Sequence, residues 1–160
     1  MTVTGSSRNA ADRTLTITSA FDVPAVRVWS LWEDPRLLER WWGPPTYPAT
    51  FVEHDVRPGS RSAYFMTGPE GDTPRGWWRT LVVDPTRRLE FENGFADRSG
   101  EPDPGMPVTL IRVTIEEVPA AGTRMTCVVT FPSPEAMEKI LSMGMEEGMT
   151  AAMGQMDGLL

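Results

Sequence analysis

Thr123–Leu160, TRMTCVVTFPSPEAMEKILSMGMEEGMTAAMGQMDGLL, changes its hydrophobic period once, and that change decides the fold. Up to Phe131 the apolar residues alternate. Met125, Cys127, Val129 and Phe131 share one face, the period-2 pattern of a half-buried strand. From Ser133 the period lengthens. Ser133 suits an N-cap, Pro134 suits a first helical position, and Ala136, Met137, Ile140 and Leu141 begin an apolar stripe. No further proline interrupts the pattern, which predicts one helix to Leu160, roughly 40 Å long at 1.5 Å per residue. Gly144, Gly148, Gly154 and Gly158 lie inside it, each costing about 1 kcal/mol relative to alanine. Packing against a sheet therefore has to hold this helix.

The sheet precedes it. Thr50–Arg57, Arg61–Thr67, Trp77–Val83, Arg88–Phe95, Val108–Val118 and Thr123–Phe131 read as strands, separated by Pro58-Gly59, Gly68–Gly71, Asp84-Pro85 and Ala121-Gly122. Connections this short imply antiparallel neighbours, because a parallel return needs a crossover of a dozen or more residues. The longer Ala96–Pro107 connection is expected to be functional or mobile. Thr14–Phe21 alternates as a further strand, giving about seven. Asp22 is placed to cap a helix from Pro24, and Leu37, Leu38, Trp41 and Trp42 suggest a second short helix before Gly43-Pro44-Pro45. Met1–Arg13 is polar and small and has no apolar h-region, so residues 1–13 are expected to be a disordered tail and residues 14–160 a single domain.

Composition narrows the function classes. The 160 residues carry 15 Lys+Arg against 22 Asp+Glu, a net charge of -7. Nucleic-acid binders usually show a clustered excess of the opposite sign, so nucleic acid is not an expected partner. No uncharged apolar run reaches the ~18 residues of a membrane span. Cys127 is the one cysteine and His54 the one histidine, which argues against a disulfide and against most metal sites, and no cofactor motif is present. The expected compartment is the cytoplasm.

Local wording adds a resemblance. Leu38–Pro44 (LERWWGP), Asp55–Gly59 (DVRPG), Gly68–Gly71 (GPEG) and Val83-Asp84-Pro85 followed by Arg88–Phe91 (RLEF) stand in a familial order. The chain resembles the SRPBCC (START and Bet v 1-like) superfamily, in the branch named after the heat-shock chaperone ATPase activator. The resemblance implies an α+β helix-grip fold, in which a curved antiparallel sheet wraps a long C-terminal helix. It also implies an apolar cavity between the two, used across the superfamily for lipids, hormones, polyketides and aromatic molecules. Fold analogy supports a pocket without choosing its ligand.

The expected function is therefore binding of a small apolar or aromatic molecule in that cavity. Relatives often carry tryptophan after the glycines matching Gly144 and Gly148, where this chain has Met145 and Met149. Flexible thioethers in place of indoles leave an adaptable wall, to which Met153 also belongs. Strand parity allows only one of Trp77 and Trp78 to face inward, and the match to the family's aromatic selects Trp78. Trp42 is expected at the cavity mouth, with Trp41 structural. Tyr64, Met66, Phe91 and Phe95 complete the expected lining, with His54 as the polar contact because it shares a strand face with Val52 and Val56.

Two alternatives stand beside this reading. A cyclase, hydrolase or lyase would use His54 as acid or base, with Tyr64 or Glu53 as helper, although parity turns Glu53 and Asp55 to the other face. A chaperone-interaction module is suggested by the branch name alone. No catalytic residue is assigned, and homodimer formation is left open. Cys127, on an inward strand face, is read as a small hydrophobe.

Overall fold

Alternating side chains and short turns build one antiparallel sheet of eight strands. The computed structural model describes residues 2–160. In chain order the strands are β1 Val3–Asn9, β2 Thr14–Phe21, β3 Ala49–Glu53, β4 Arg61–Met66, β5 Arg75–Asp84, β6 Arg88–Ala96, β7 Thr109–Val118 and β8 Gly122–Thr130. Their spatial order is β1-β2-β8-β7-β6-β5-β4-β3, so β2 pairs with the last strand and the N-terminal β1 forms one edge of the sheet. Helices α1 Ala25–Glu33 and α2 Pro35–Leu38 connect β2 to β3, and α3 Pro134–Ser142 and α4 Met145–Met153 follow β8. The result is the α+β helix-grip arrangement.

β1 corrects the expected disordered tail. Its side chains are almost all exposed, so it carries no hydrophobic alternation, yet it pairs with β2 from Val3↔Ser19 to Asn9↔Thr14. Backbone hydrogen bonds of a solvated edge strand do not depend on an apolar face, which is why a polar sequence conceals it. The strand count rises from about seven to eight for this reason.

The C-terminal helix also differs in detail. It breaks at Gly144, whose φ of 88° lies in the left-handed region where a side chain is disfavoured. The Gly144 N–H closes α3 on the Leu141 carbonyl at 3.0 Å, and α4 starts afresh from that glycine. A 3-10 turn, Met156–Leu159, ends the chain. The α3 start follows the sequence: Ser133 Oγ accepts the Ala136 N–H at 3.0 Å and Pro134 opens the helix. At α1 the expected Asp22 cap is replaced by a long-range one, Glu117 Oε1 accepting the Ala25 N–H at 3.1 Å.

The core lies between the concave face of the sheet and these helices. Leu15, Ile17, Phe91, Ile111, Val113, Met125, Cys127 and Val129 come from the strands, and Val28, Trp29, Leu31 and Trp32 from α1. Trp78 stacks on Phe91 with centroids 3.9 Å apart and planes 20° apart. Such pairs add about 0.5–1.5 kcal/mol beyond the area they bury.

Candidate functional site

Residue pairing across the sheet prepares a hollow on its concave face. Phe51, Tyr64, Gly76 and Phe95 stand opposite one another on four successive strands, β3 to β6. Gly76 leaves a gap in that row, and the Tyr64 ring lies across it. A Cβ on Gly76 would come within 2.3 Å of the Tyr64 oxygen. One row along, Trp78, Asn93 and Thr109 are paired across β5, β6 and β7.

Helices α3 and α4 cross this hollow without filling it and leave a half-open cavity of about 240 Å³. Its floor is Tyr64, Met66, Asn93, Phe95, Pro107 and Thr109, and one wall is Trp41, Trp42 and Pro44. The roof is Ile140, Met143, Gly144, Met145, Gly148, Met149, Ala152 and Met153. None of these side chains is charged. The roof is pinned at both ends: Glu146 accepts from Ser6 Oγ at 2.7 Å and pairs with Arg8 Nε at 2.6 Å on β1, and Gln155 Nε2 donates to the Gly43 carbonyl at 2.7 Å. The Ser6 hydroxyl and then the Arg8 guanidinium hold the Glu146 carboxyl below its ordinary range.

The polar groups of the floor are few. Asn93 Nδ2 lies 3.1 Å from the Tyr64 hydroxyl oxygen and 3.1 Å from the Trp77 carbonyl. A carbonyl only accepts, so this contact fixes which end of the amide faces it. Thr109 Oγ1 donates to the Asn93 carbonyl at 3.3 Å. Burial raises the Tyr64 pKa, opposed by the Asn93 amide and the adjacent Trp42 indole, so Tyr64 keeps its proton near neutrality.

Of the residues expected from the sequence, Trp42, Tyr64, Met66, Phe95, Met145, Met149 and Met153 come together on this cavity. Trp78 and Phe91 do not reach it. Both are fully buried below the lining, where Trp78 meets Trp42 edge-on at 4.8 Å and Phe91 stacks behind. His54 is elsewhere. Its ring turns inward, 5.4 Å from Phe51 and 5.2 Å from Trp78, although a register shift between Phe51 and Glu53 breaks the strand parity and leaves Val52, expected on the same face, 66% exposed. His54 instead brackets α1 to β4, with Nε2 2.8 Å from the Trp32 carbonyl and Nδ1 2.7 Å from Ser62 Oγ. The carbonyl can only accept, so Nε2 carries the hydrogen and Nδ1 accepts from Ser62. Both ring nitrogens are thereby engaged. Burial lowers the His54 pKa, opposed by the Trp32 hydrogen bond and nearby carboxylates.

Sequence reasoning missed Asn93, Pro107 and Thr109 on the floor. The signal for Asn93 was available, since it shares a strand face with Phe91 and Phe95, both assigned inward. Trp41, given a structural duty, both lines the cavity and donates from Nε1 to the Leu31 carbonyl at 2.8 Å. Pro107 enters from the long connection after β6, which thus contributes to the floor.

Comparison with known proteins settles the family. The family model described as activator of Hsp90 ATPase homolog 1-like protein matches residues 22–160. The chain belongs to that family. Among solved structures, protein Ms6760 from Mycobacterium smegmatis is 44% identical, with a TM-score of 0.90 over 99% of this chain and 96% of that one. A protein from Arthrobacter aurescens, solved by NMR, is 46% identical with a TM-score of 0.93 over 98% and 90% of the two chains. One from Staphylococcus epidermidis is 27% identical with a TM-score of 0.81, covering 100% and 93%. No curated protein matches.

In this member of the Hsp90 ATPase activator homolog-like family, reactive chemistry is sparse around the cavity. Cys127 is fully buried among strand side chains, and burial pushes its thiol up to about 12, which keeps it protonated and inert. Among the described residues no three His, Cys, Asp or Glu side chains gather as a metal site, and no helix is long and apolar enough to cross a membrane.

Proposed function

We propose that the protein binds one small, neutral, largely apolar molecule in the cavity between the sheet and the α3–α4 roof. The observation that carries this reading is the lining itself: tryptophan, tyrosine, phenylalanine and methionine around about 240 Å³, with no charged side chain. A cavity of roughly 150 Å³ lined by aliphatic and aromatic groups already takes benzene, so this one suits a body of one or two rings. Apolar burial at about 25 cal/mol per Å² supplies most of the binding free energy. Met145, Met149 and Met153 adapt the roof to the ligand, and Trp42, Tyr64, Met66 and Phe95 contact it from wall and floor. Trp78 and Phe91 act by holding Trp42 in place. The acid–base alternative is disfavoured by the position of His54, whose two ring nitrogens are occupied by Trp32 and Ser62 away from the lining.

The test replaces Met145 and Met149 together with tryptophan and follows a neutral fluorescent two-ring probe, naphthalene. Probe affinity should fall by more than tenfold while the circular dichroism spectrum is retained. Unchanged affinity in the folded variant would overturn the proposal.

A further inference from the structure

We infer that the floor of the cavity reads a hydroxyl group, so that the ligand is a neutral alcohol or phenol on an apolar body. This deepens the binding proposal and rests on it. Most hydrogen-bonding atoms of Asn93 and Thr109 on the floor are already used. Asn93 Nδ2 has two hydrogens, and its two partners, the Trp77 carbonyl and the Tyr64 oxygen, each at 3.1 Å, consume both. The amide therefore offers only Oδ1, an acceptor. Thr109 Oγ1 has given its hydrogen to the Asn93 carbonyl and likewise keeps only acceptor capacity. Tyr64 is the converse: its oxygen accepts from Asn93, and among the described residues its own hydrogen meets no acceptor. Burial keeps that hydrogen in place at neutral pH.

Floor and wall thus present two free donors beside an acceptor: the Tyr64 hydroxyl and the Trp42 Nε1–H, which has no partner among the described residues. A carbonyl or ether can answer only the donors and leaves Asn93 Oδ1 unmet. A carboxylate or an ammonium group would enter a lining with no opposite charge to meet it, at a high desolvation cost. A hydroxyl both accepts from Tyr64 and donates to Asn93 Oδ1 through a single oxygen. It is the smallest neutral group that satisfies both.

Naphthalene, β-naphthol and the methyl ether of β-naphthol separate the possibilities, measured by calorimetric titration of the full chain. β-Naphthol should bind about tenfold more tightly than its methyl ether, the usual worth of one further hydrogen bond. In the Tyr64→Phe variant the methyl ether should fall to within about twofold of naphthalene, while β-naphthol, weakened by about tenfold, stays tighter than both through its bond to Asn93 Oδ1. In the wild-type protein the Asn93 side-chain amide resonances should move with β-naphthol and not with the ether, a readout that does not depend on the variant's folding. Three equal affinities, or Asn93 resonances indifferent to the hydroxyl, would overturn the hydroxyl assignment while leaving the cavity as a binding site. Failure of all three compounds to bind would overturn both.

Discussion

Gly76 and Tyr64 face each other across β4 and β5 so closely that the glycine hydrogen is the only substituent that fits: a Cβ there would lie 2.3 Å from the Tyr64 oxygen and 2.4 Å from the ring carbon that bears it. The Tyr64 ring is thereby seated in the sheet's concave face rather than standing up into the cavity. Gly76→Ala should destabilise the protein by about 1–3 kcal/mol through overpacking, and push Tyr64 toward the roof. Urea denaturation should show the loss, and probe affinity should fall with it. In a Tyr64→Leu background the alanine should cost much less. An equal cost in both backgrounds would contradict the contact.

Gly148 presents the opposite case, because a Cβ added there meets nothing within 4 Å although the residue lines the roof. Gly148→Ala should stabilise α4 by about 1 kcal/mol, the usual helix-interior difference, with little effect on a small probe. Gly148→Phe should keep the fold and occupy the cavity, weakening probe binding by more than tenfold. Retained probe affinity in the phenylalanine variant would show that the roof is not where ligand sits.

The hydrophobic pattern alone placed most of the sheet, because seven strands bury one face and alternate accordingly. β1 escaped since its side chains are solvated and only its backbone is bonded. The cavity lining was partly legible for the same reason: Tyr64, Met66 and Phe95 follow strand parity, and the methionines follow helical spacing. His54 turns inward as expected, but it packs against Phe51 and Trp78 and bonds a backbone carbonyl instead of lining the cavity. Trp78 and Phe91 face inward as expected, yet neighbouring tryptophans cover them. Depth below a lining depends on which helix lies over the sheet, which spacing along one strand does not encode.

His54 should make stability pH-dependent. Burial, opposed by the Trp32 hydrogen bond and by Asp55, Asp34 and Glu33, holds its folded pKa below the ordinary 6.5. As pH falls through 6.5 the unfolded chain takes up the proton first, so stability declines with acidification until the folded ring also titrates. Above that range both states hold a neutral ring and the contribution is flat. His54→Gln has no such titration. Melting temperatures of wild type and variant should therefore converge from pH 7.5 to pH 5, because other titrating groups are common to both. A constant difference across that range would mean the ring is not held neutral.

Loosening the roof tether is a milder perturbation. Glu146→Gln removes the charge that pairs with Arg8 but keeps an acceptor for Ser6. Because the pair is largely solvated, stability should change by less than about 1 kcal/mol. Amide exchange in α4 should nonetheless quicken relative to α3. Equal exchange in the two helices before and after the change would show that β1 does not restrain the roof.

The central claim, that a small apolar molecule enters between the α3–α4 roof and the sheet, is tested most directly by NMR of the protein labelled at its methionine methyl groups. On titration with naphthalene, the Met66, Met145, Met149 and Met153 signals should shift saturably, with one midpoint. Met125, sealed in the core under the Trp32 indole with its sulfur 3.3 Å from Nε1, should stay still. Shifts absent from those four methyls, or confined to methionines outside the lining, would contradict the account.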